Sequence, residues 1–235
     1  MIQAFYSGTS GLKAHQNSLD VLANNISNVN TTGYKTKTQD FGSLLSVSEV
    51  RPETKNSATL LAGSGTAVNS VATDMSNGSV EQTGKTTDYY IKGDGFFSVK
   101  DNSGNIFYTK DGSFQKIAGA NGEVLGTANG MTVLDATGNA VTVDTAGNTT
   151  NPGVFTFSNS PGLLSAGDNL LVATNVSGAA TASTATPLSG MLEGSNVDLA
   201  GQMAGLISAQ RGYQLNSSVV STANQIETMV NELGQ

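Results

Sequence analysis

Two stretches of heptad-spaced apolar residues stand at opposite ends of this chain, and both are nearly devoid of charge. In the first, Phe5, Leu12, Leu19 and Ile26 recur every seven residues. Gly8, His15, Leu22 and Val29 follow three positions further on, as the a and d columns of a heptad do. In the last, Leu199, Met203, Leu206, Gln210 and Tyr213 step by four and three. After a shift of phase Val219, Ala223, Ile226, Val230 and Leu233 resume the pattern, a break that reads as a stutter in a supercoil. The only charges in the first thirty residues are Lys13 and Asp20, and the last stretch holds only Asp198, Arg211, Glu227 and Glu232. A freestanding coiled coil normally carries charge at its flanking e and g positions. Sides without charge suit contact with more helices rather than with water. The two terminal helices are therefore expected to pair as a coiled coil and to offer their remaining faces to other copies of the chain.

Between them the pattern changes to period two. Short β-rich runs such as "YYIKGDGFFSVK", "NIFYTK", "SFQKI", "AVTVD", "GVFTFS" and "NLLVAT" alternate with the turn signals "DNSGN", "KDGS", "GANGE", "ATGN" and "TAGNTTNPG". That spacing predicts antiparallel hairpins rather than βαβ units. The small-residue stretch "SGAATASTATPLSG" (177–190) reads as a linker. "SNVD" offers Ser195 as a helix cap with an acid three residues on, close to a capping box. The expected class is α+β, in four parts. An N-terminal helix (1–30) is followed by an extended connecting segment (31–69). A central antiparallel β domain (70–190) precedes a C-terminal helix (191–235).

Composition narrows the function by exclusion. The 235 residues contain no cysteine or tryptophan, so disulfides and thiolate chemistry are excluded. A net charge of −7 argues against nucleic acid, since no basic surface exists to neutralise a run of phosphates. Charged residues make up 12 %, against roughly 25 % in an ordinary soluble domain. Such a surface suits a subunit covered by its neighbours. No apolar run is long enough to insert in a membrane, and no cleavable secretory signal is expected. A search for chemistry finds little. His15, the sole histidine, sits in a heptad column and reads as a packing residue. Ser10 and Lys13 fit S-x-x-K without its companion motifs. "GDGFFS" lacks the third glycine of a dinucleotide fingerprint and the helix that should follow. "DNSGN" starts like a calcium loop but has Gly112 where the last ligand belongs. Neither an enzyme nor a cofactor is expected.

The densest local signal is "ANNISNVNTTGYK" (23–35), with Asn24, Asn25, Asn28 and Asn30 inside seven positions. Asparagine and glycine tolerate the left-handed conformation that ends a helix, and asparagine bonds nearby backbone. One or two asparagines suffice to stop the helix, which leaves the others for partners. The stretch also carries a resemblance. "LDVLANNISNVNTTGYK", with Ala23, Asn24, Asn25, Asn28, Asn30, Thr32 and Gly33, resembles the N-terminal signature of the bacterial flagellar rod and hook proteins. "DYYIKGDGFFSV" with "YTKDGSF" resembles the family's mid-chain signature, Lys110 standing where many members have arginine. "GVFTFSNSPGLLSAGDNLLVAT" and "LEGSNVDLAGQMAGLISAQRGYQLNSSVVSTANQIETMVNEL" are similar to its C-terminal part. The likeness runs through nearly the whole chain in the right order.

The resemblance implies a structural subunit of a helical assembly, with terminal helices forming an inner tube and the β domain an outer layer. It implies export by the flagellar type III apparatus to the basal body outside the cytoplasm. The implied partners are copies of the chain and neighbouring rod and hook proteins. One β domain between two helices is most like a distal rod protein or its close rod relative, with a short hook or hook-like protein as the alternative. A secreted β-rich adhesin is the reading from a different class. The assembly seams would run through the heptad residues named above. "DFGSLL", with Phe41, Leu44 and Leu45, is a candidate export-docking stretch, against a role in packing on the β domain. Residues 41–65 are where rod and hook members would differ.

Overall fold

A computed structural model describes residues 2–45, 47–49, 60–119, 122–143 and 150–233. The hairpin turn expected around Asn121, part of "TAGNTTNPG" and most of 46–59 lie outside the described residues. Two compact units emerge, and the chain passes between them more than once. One contains residues 1–27, 37–72 and 198–235, and the other 28–36 and 73–197. Among the described residues the architecture is α+β, with two α-helices and mainly antiparallel sheets.

The helical unit consists of α1 (Ile2–Ser27), α2 (Leu199–Leu233) and short strands. Strand Lys37–Ser43 pairs with Thr66–Thr73, and Val47–Glu49 pairs antiparallel with Leu60–Ala62. The cap of α2 differs from the sequence expectation. Asp198 accepts the Ala200 N–H through Oδ1 at 3.2 Å, and its carbonyl accepts the Gln202 N–H at 2.9 Å. Ser195 instead accepts the Val197 N–H at 3.3 Å, in the turn before the helix. A carboxylate one residue ahead of the first helical turn serves the free N–H groups and the dipole together, so it displaces the serine.

The β unit is built on an antiparallel sheet. From one edge its strands are Leu164–Gly167, Leu170–Val172, Ile106–Thr109, Phe96–Lys100, Thr132–Val133, Gly122–Gly126 and Gln115–Gly119. Val154–Thr156 also pairs with Phe96–Lys100. That strand is central and buried on both faces, which is why "FFSV" reads as a continuous apolar run rather than an alternation. Phe97 and Val99 join Ile91, Phe114, Leu125, Val133 and Val141 in the main core, and Phe97 meets Phe114 edge-on at 5.1 Å. Phe96 turns to the other side, against Phe157 and Leu163, where Tyr108 and Phe157 meet at 4.8 Å. "DNSGN" forms the hairpin turn after the central strand, closed by the Asp101 N–H on the Asn105 carbonyl at 3.0 Å. The 177–190 stretch is more than a linker. Thr181–Ala182 pairs with Val154–Thr156, and Leu188–Ser189 pairs with Tyr89–Tyr90. Its small residues hid both strands from a reading based on bulky β-formers.

The helix faces and the asparagine cluster

Within the helical unit α1 and α2 lie against each other along small residues. A Cβ added to Gly11 would stand 2.8 Å from Asn216 Nδ2, and one on Gly8 would stand 2.9 Å from Val220 Cγ2. From the other helix, a Cβ on Gly212 would come within 2.6 Å of His15 Cε1, and one on Gly205 within 3.3 Å of Leu22 Cδ2. The contact thus follows Gly8, Gly11, His15, Leu22 and Asn25 on α1, with Gln202, Gly205, Ala209, Gly212 and Asn216 on α2. Absence of side chains lets the backbones approach closely, and Ala14 and Ala209 are buried there.

Most of the large residues lie elsewhere. Of the expected seam, Leu12, Leu19, Leu22, Ile26, Val29, Leu206 and Tyr213 are half-buried. Phe5, Leu199, Met203, Val219, Ile226, Val230 and Leu233 are exposed, Met203 at 50 %, as are Ile207 at 52 % and Leu215 at 69 %. Bulky apolar groups left in water on one continuous helix are an unsatisfied surface. No helix among the described residues is long and apolar enough to cross a membrane.

The asparagines divide by role. Asn25 is wholly buried. Its Nδ2 donates to the Lys37 carbonyl at 2.8 Å and to Gln202 Oε1 at 2.9 Å, while its Oδ1 accepts the Lys37 N–H at 3.0 Å. One amide therefore joins the end of α1, the following strand and the start of α2. Asn28 closes the turn after the helix: its carbonyl accepts the Thr31 N–H at 3.1 Å and its Oδ1 accepts the Thr31 hydroxyl at 3.2 Å. Ala23, Asn24 and Asn30 are exposed. None of these asparagines takes up the left-handed conformation. Gly33 does, at φ 67°, and a Cβ there would lie 2.6 Å from the Asp111 nitrogen, so only glycine fits.

Gly33 opens a knot within the β unit that sequence reasoning missed. Its N–H donates to the Glu193 carbonyl at 2.8 Å. Thr32 donates its hydroxyl to Asp111 Oδ1 at 2.9 Å, and its carbonyl accepts Asn169 Nδ2 at 3.0 Å. Lys35 Nζ donates to Glu193 Oε1 at 2.7 Å and to the Ser76 carbonyl at 2.6 Å. Lys110 Nζ lies 3.4 Å from Glu193 Oε2 and donates to the Gly93 carbonyl at 3.0 Å. All three side chains are buried, so one carboxylate serves two ammonium groups away from water. Burial pushes the Lys110 ammonium below the usual lysine range; Glu193 opposes that shift and Lys35 adds to it. Burial alone would raise the Glu193 pKa. The Lys35 hydrogen bond, the Gly78 N–H and the two positive charges outweigh it and hold the carboxyl below the usual range. The knot draws together "TTGYKT", "TKDGS", "GDN" and "EGSN", pieces of every stretch that carried the resemblance.

In "DFGSLL", Phe41 belongs to the helical unit and stands 6.1 Å from the His15 ring. It borders a cavity of about 340 Å³ that is also lined by Gln39 and Gln202. Phe41 and Leu44 are partly open to solvent and Leu45 is 87 % exposed.

A long helix pair with bulky apolar groups facing water, in a chain whose β unit is tied off by its own polar knot, defines an assembly subunit. Among the described residues no histidine, cysteine and carboxylate cluster could hold a metal ion. Residues 5–35 match the family described as Flagella basal body rod protein, and residues 188–233 match Flagellar basal body rod FlgEFG protein C-terminal. Residues 90–174 match Flagellar hook protein FlgE/F/G D1 domain. The flagellar basal-body rod protein FlgG of Bacillus subtilis is 34 % identical, over 96 % of this chain and 97 % of the relative. FlgG of Agrobacterium fabrum is 32 % identical over 98 % and 99 %. The flagellar hook-basal body complex protein FlhP of Bacillus subtilis is 30 % identical over 99 % and 100 %. The chain belongs to the flagellar basal-body rod protein family and is a structural subunit of the rod. These relatives are structural proteins of the flagellum, and the adhesin reading gives way to them.

Proposed function

We propose that the chain builds the rod by burying the outward apolar faces of α1 and α2 against other copies and against neighbouring rod and hook proteins. The observation that carries this reading is the division of the helices into two faces. The small-residue face, with Leu22, Val219 and Val220, is used within the chain, and the bulky groups off it, such as Met203, Ile207 and Leu215, are exposed. The small-residue contact keeps the expected 8/15/22 column and pairs it with 11/18/25 on α1, against 202/209/216 with 205/212/219 on α2. Coiled-coil pairing in that register leaves Met203, Ile207 and Leu215 for intersubunit contact, while Ile226 and Val230 continue the same columns toward the end of α2, where they too are exposed. The seam residues Phe5, Leu12, Leu19, Leu206 and Leu233 belong to the same buried tube.

The exposed Leu45, with Phe41 and Leu44, makes "DFGSLL" the docking stretch for the type III export apparatus, which delivers the chain to the basal body beyond the cytoplasm. The full-length likeness to FlgG favours a distal rod position over a hook-like one. Met203→Asp tests the assembly reading. A carboxylate on a half-exposed monomer surface costs little, whereas the same charge buried without a partner is strongly unfavourable. The variant should keep the monomer's thermal unfolding and lose filaments in electron micrographs. Filaments formed at the parent's concentration would contradict the reading.

A further inference from the structure

The chain passes between the helical and β units at four places, 27/28, 36/37, 72/73 and 197/198. Three of these passages leave the β unit beside one half-buried side chain, Asn196. Its Oδ1 accepts the Thr36 N–H at 2.7 Å and the Thr36 hydroxyl at 2.8 Å. Its Nδ2 donates to the Asp74 carbonyl at 3.0 Å and to the Ser76 carbonyl at 3.1 Å. The Asp74 N–H in turn donates to the Thr36 carbonyl at 2.8 Å, which closes the ring of contacts. Thr36, Asp74 and Asn196 each stand one or two residues inside a passage, and all belong to the β unit. Three residues deeper on the same strand direction, Glu193 holds Lys35 and the Gly78 N–H at 2.7 and 2.9 Å. Polar bonds thus tie together the segments through which the chain leaves the unit.

We infer that Asn196 is a positioning residue for rod assembly, setting the spacing of the three segments that lead into the paired helices. This rests on the reading that the terminal helices polymerise. A primary amide is the one side chain of this size with both an acceptor for Thr36 and donors for Asp74 and Ser76. Loss of the brace leaves the sheet core intact but lets the three exits move independently, so each subunit must be ordered as it joins.

The test uses the full chain with Asn196→Ala and Asn196→Asp, the latter keeping the Thr36 acceptor alone. Val141→Ala in the sheet core serves as a variant that loses stability without touching the brace. Hydrogen exchange at the Thr36 amide, thermal unfolding and filament yield are measured together. In Asn196→Ala the Thr36 amide should exchange about tenfold faster, and filament yield should fall by about the same factor. Asn196→Asp should fall between. Val141→Ala should unfold at lower temperature and still polymerise once folded. The proposal is overturned by normal filaments from Asn196→Ala, by an unchanged Thr36 exchange rate, or by an equal filament loss in Val141→Ala. Filaments from Met203→Asp would instead sink the helix reading beneath it, so the two failures are distinguishable.

Discussion

The helix pair and the β unit solve opposite problems with opposite residues. In the β unit the bulky groups Phe97, Ile91, Leu125 and Val133 face inward, and the buried charges of Lys35, Glu193 and Lys110 answer one another. In the helical unit glycine and alanine bring the two backbones together at the internal contact while Met203, Ile207 and Leu215 face water. The first is complete as a single chain. The second has spent its small residues on the partner helix and kept its hydrophobic area in reserve. A unit that must survive alone internalises its large apolar groups. A unit that must polymerise brings its own backbones close and leaves those groups outside, where burial at about 25 cal/mol per Å² rewards assembly.

Breaking each unit at its characteristic residue should separate them. Glu193→Gln removes the carboxylate that lies between two buried ammonium groups. Breaking such a pair typically costs about 3–5 kcal/mol, so the β unit should unfold many degrees lower while α-helical content at low temperature is retained. Calorimetry of the full chain checks this, and an unchanged β transition would contradict the assigned role of the knot. Gly212→Val strikes the other unit. Its side chain would collide with His15, at a cost of about 1–3 kcal/mol for overpacking. Helical content and protection of α2 from proteolysis should fall, with the β transition unmoved.

A pH titration gives the smallest effect. The folded Glu193 pKa lies below that of the unfolded chain, so its contribution is fully present above the ordinary glutamate range. It fades as pH falls through the lower, folded value. The β transition should therefore drop in acid, and the drop should be shallower in Glu193→Gln. Equal slopes for the two proteins would place the acid sensitivity in other groups.

The sequence made some of this legible and concealed the rest for physical reasons. Heptad spacing disclosed the two terminal helices, and "DNSGN" disclosed a hairpin. Of the line of helix contact the Gly8, His15 and Leu22 column was legible, but its companions Gly11 and Asn25 were not, because periodicity weighs Phe5 and Leu12 above them. Backbone proximity is carried by the residues that weigh least. The asparagine cluster was visible as density, but only geometry separates Asn25, which joins three segments, from Asn24 and Asn30 on the surface. The left-handed turn fell to Gly33 alone. The knot was the least visible part: Lys35, Lys110 and Glu193 are far apart in the chain, and no local pattern distinguishes a buried lysine from a solvated one.

The central claim is that the outward apolar face of α2 is open in the monomer and buried in the rod. Because the chain has no cysteine, Ile207→Cys places a single thiol on that face. Its rate of alkylation, measured in the monomer and in assembled filaments, reads the claim directly. The account predicts rapid labelling of the monomer and strong protection in the filament, with protection lost on depolymerisation. Equal rates in the two states, in filaments verified by electron microscopy, would contradict it.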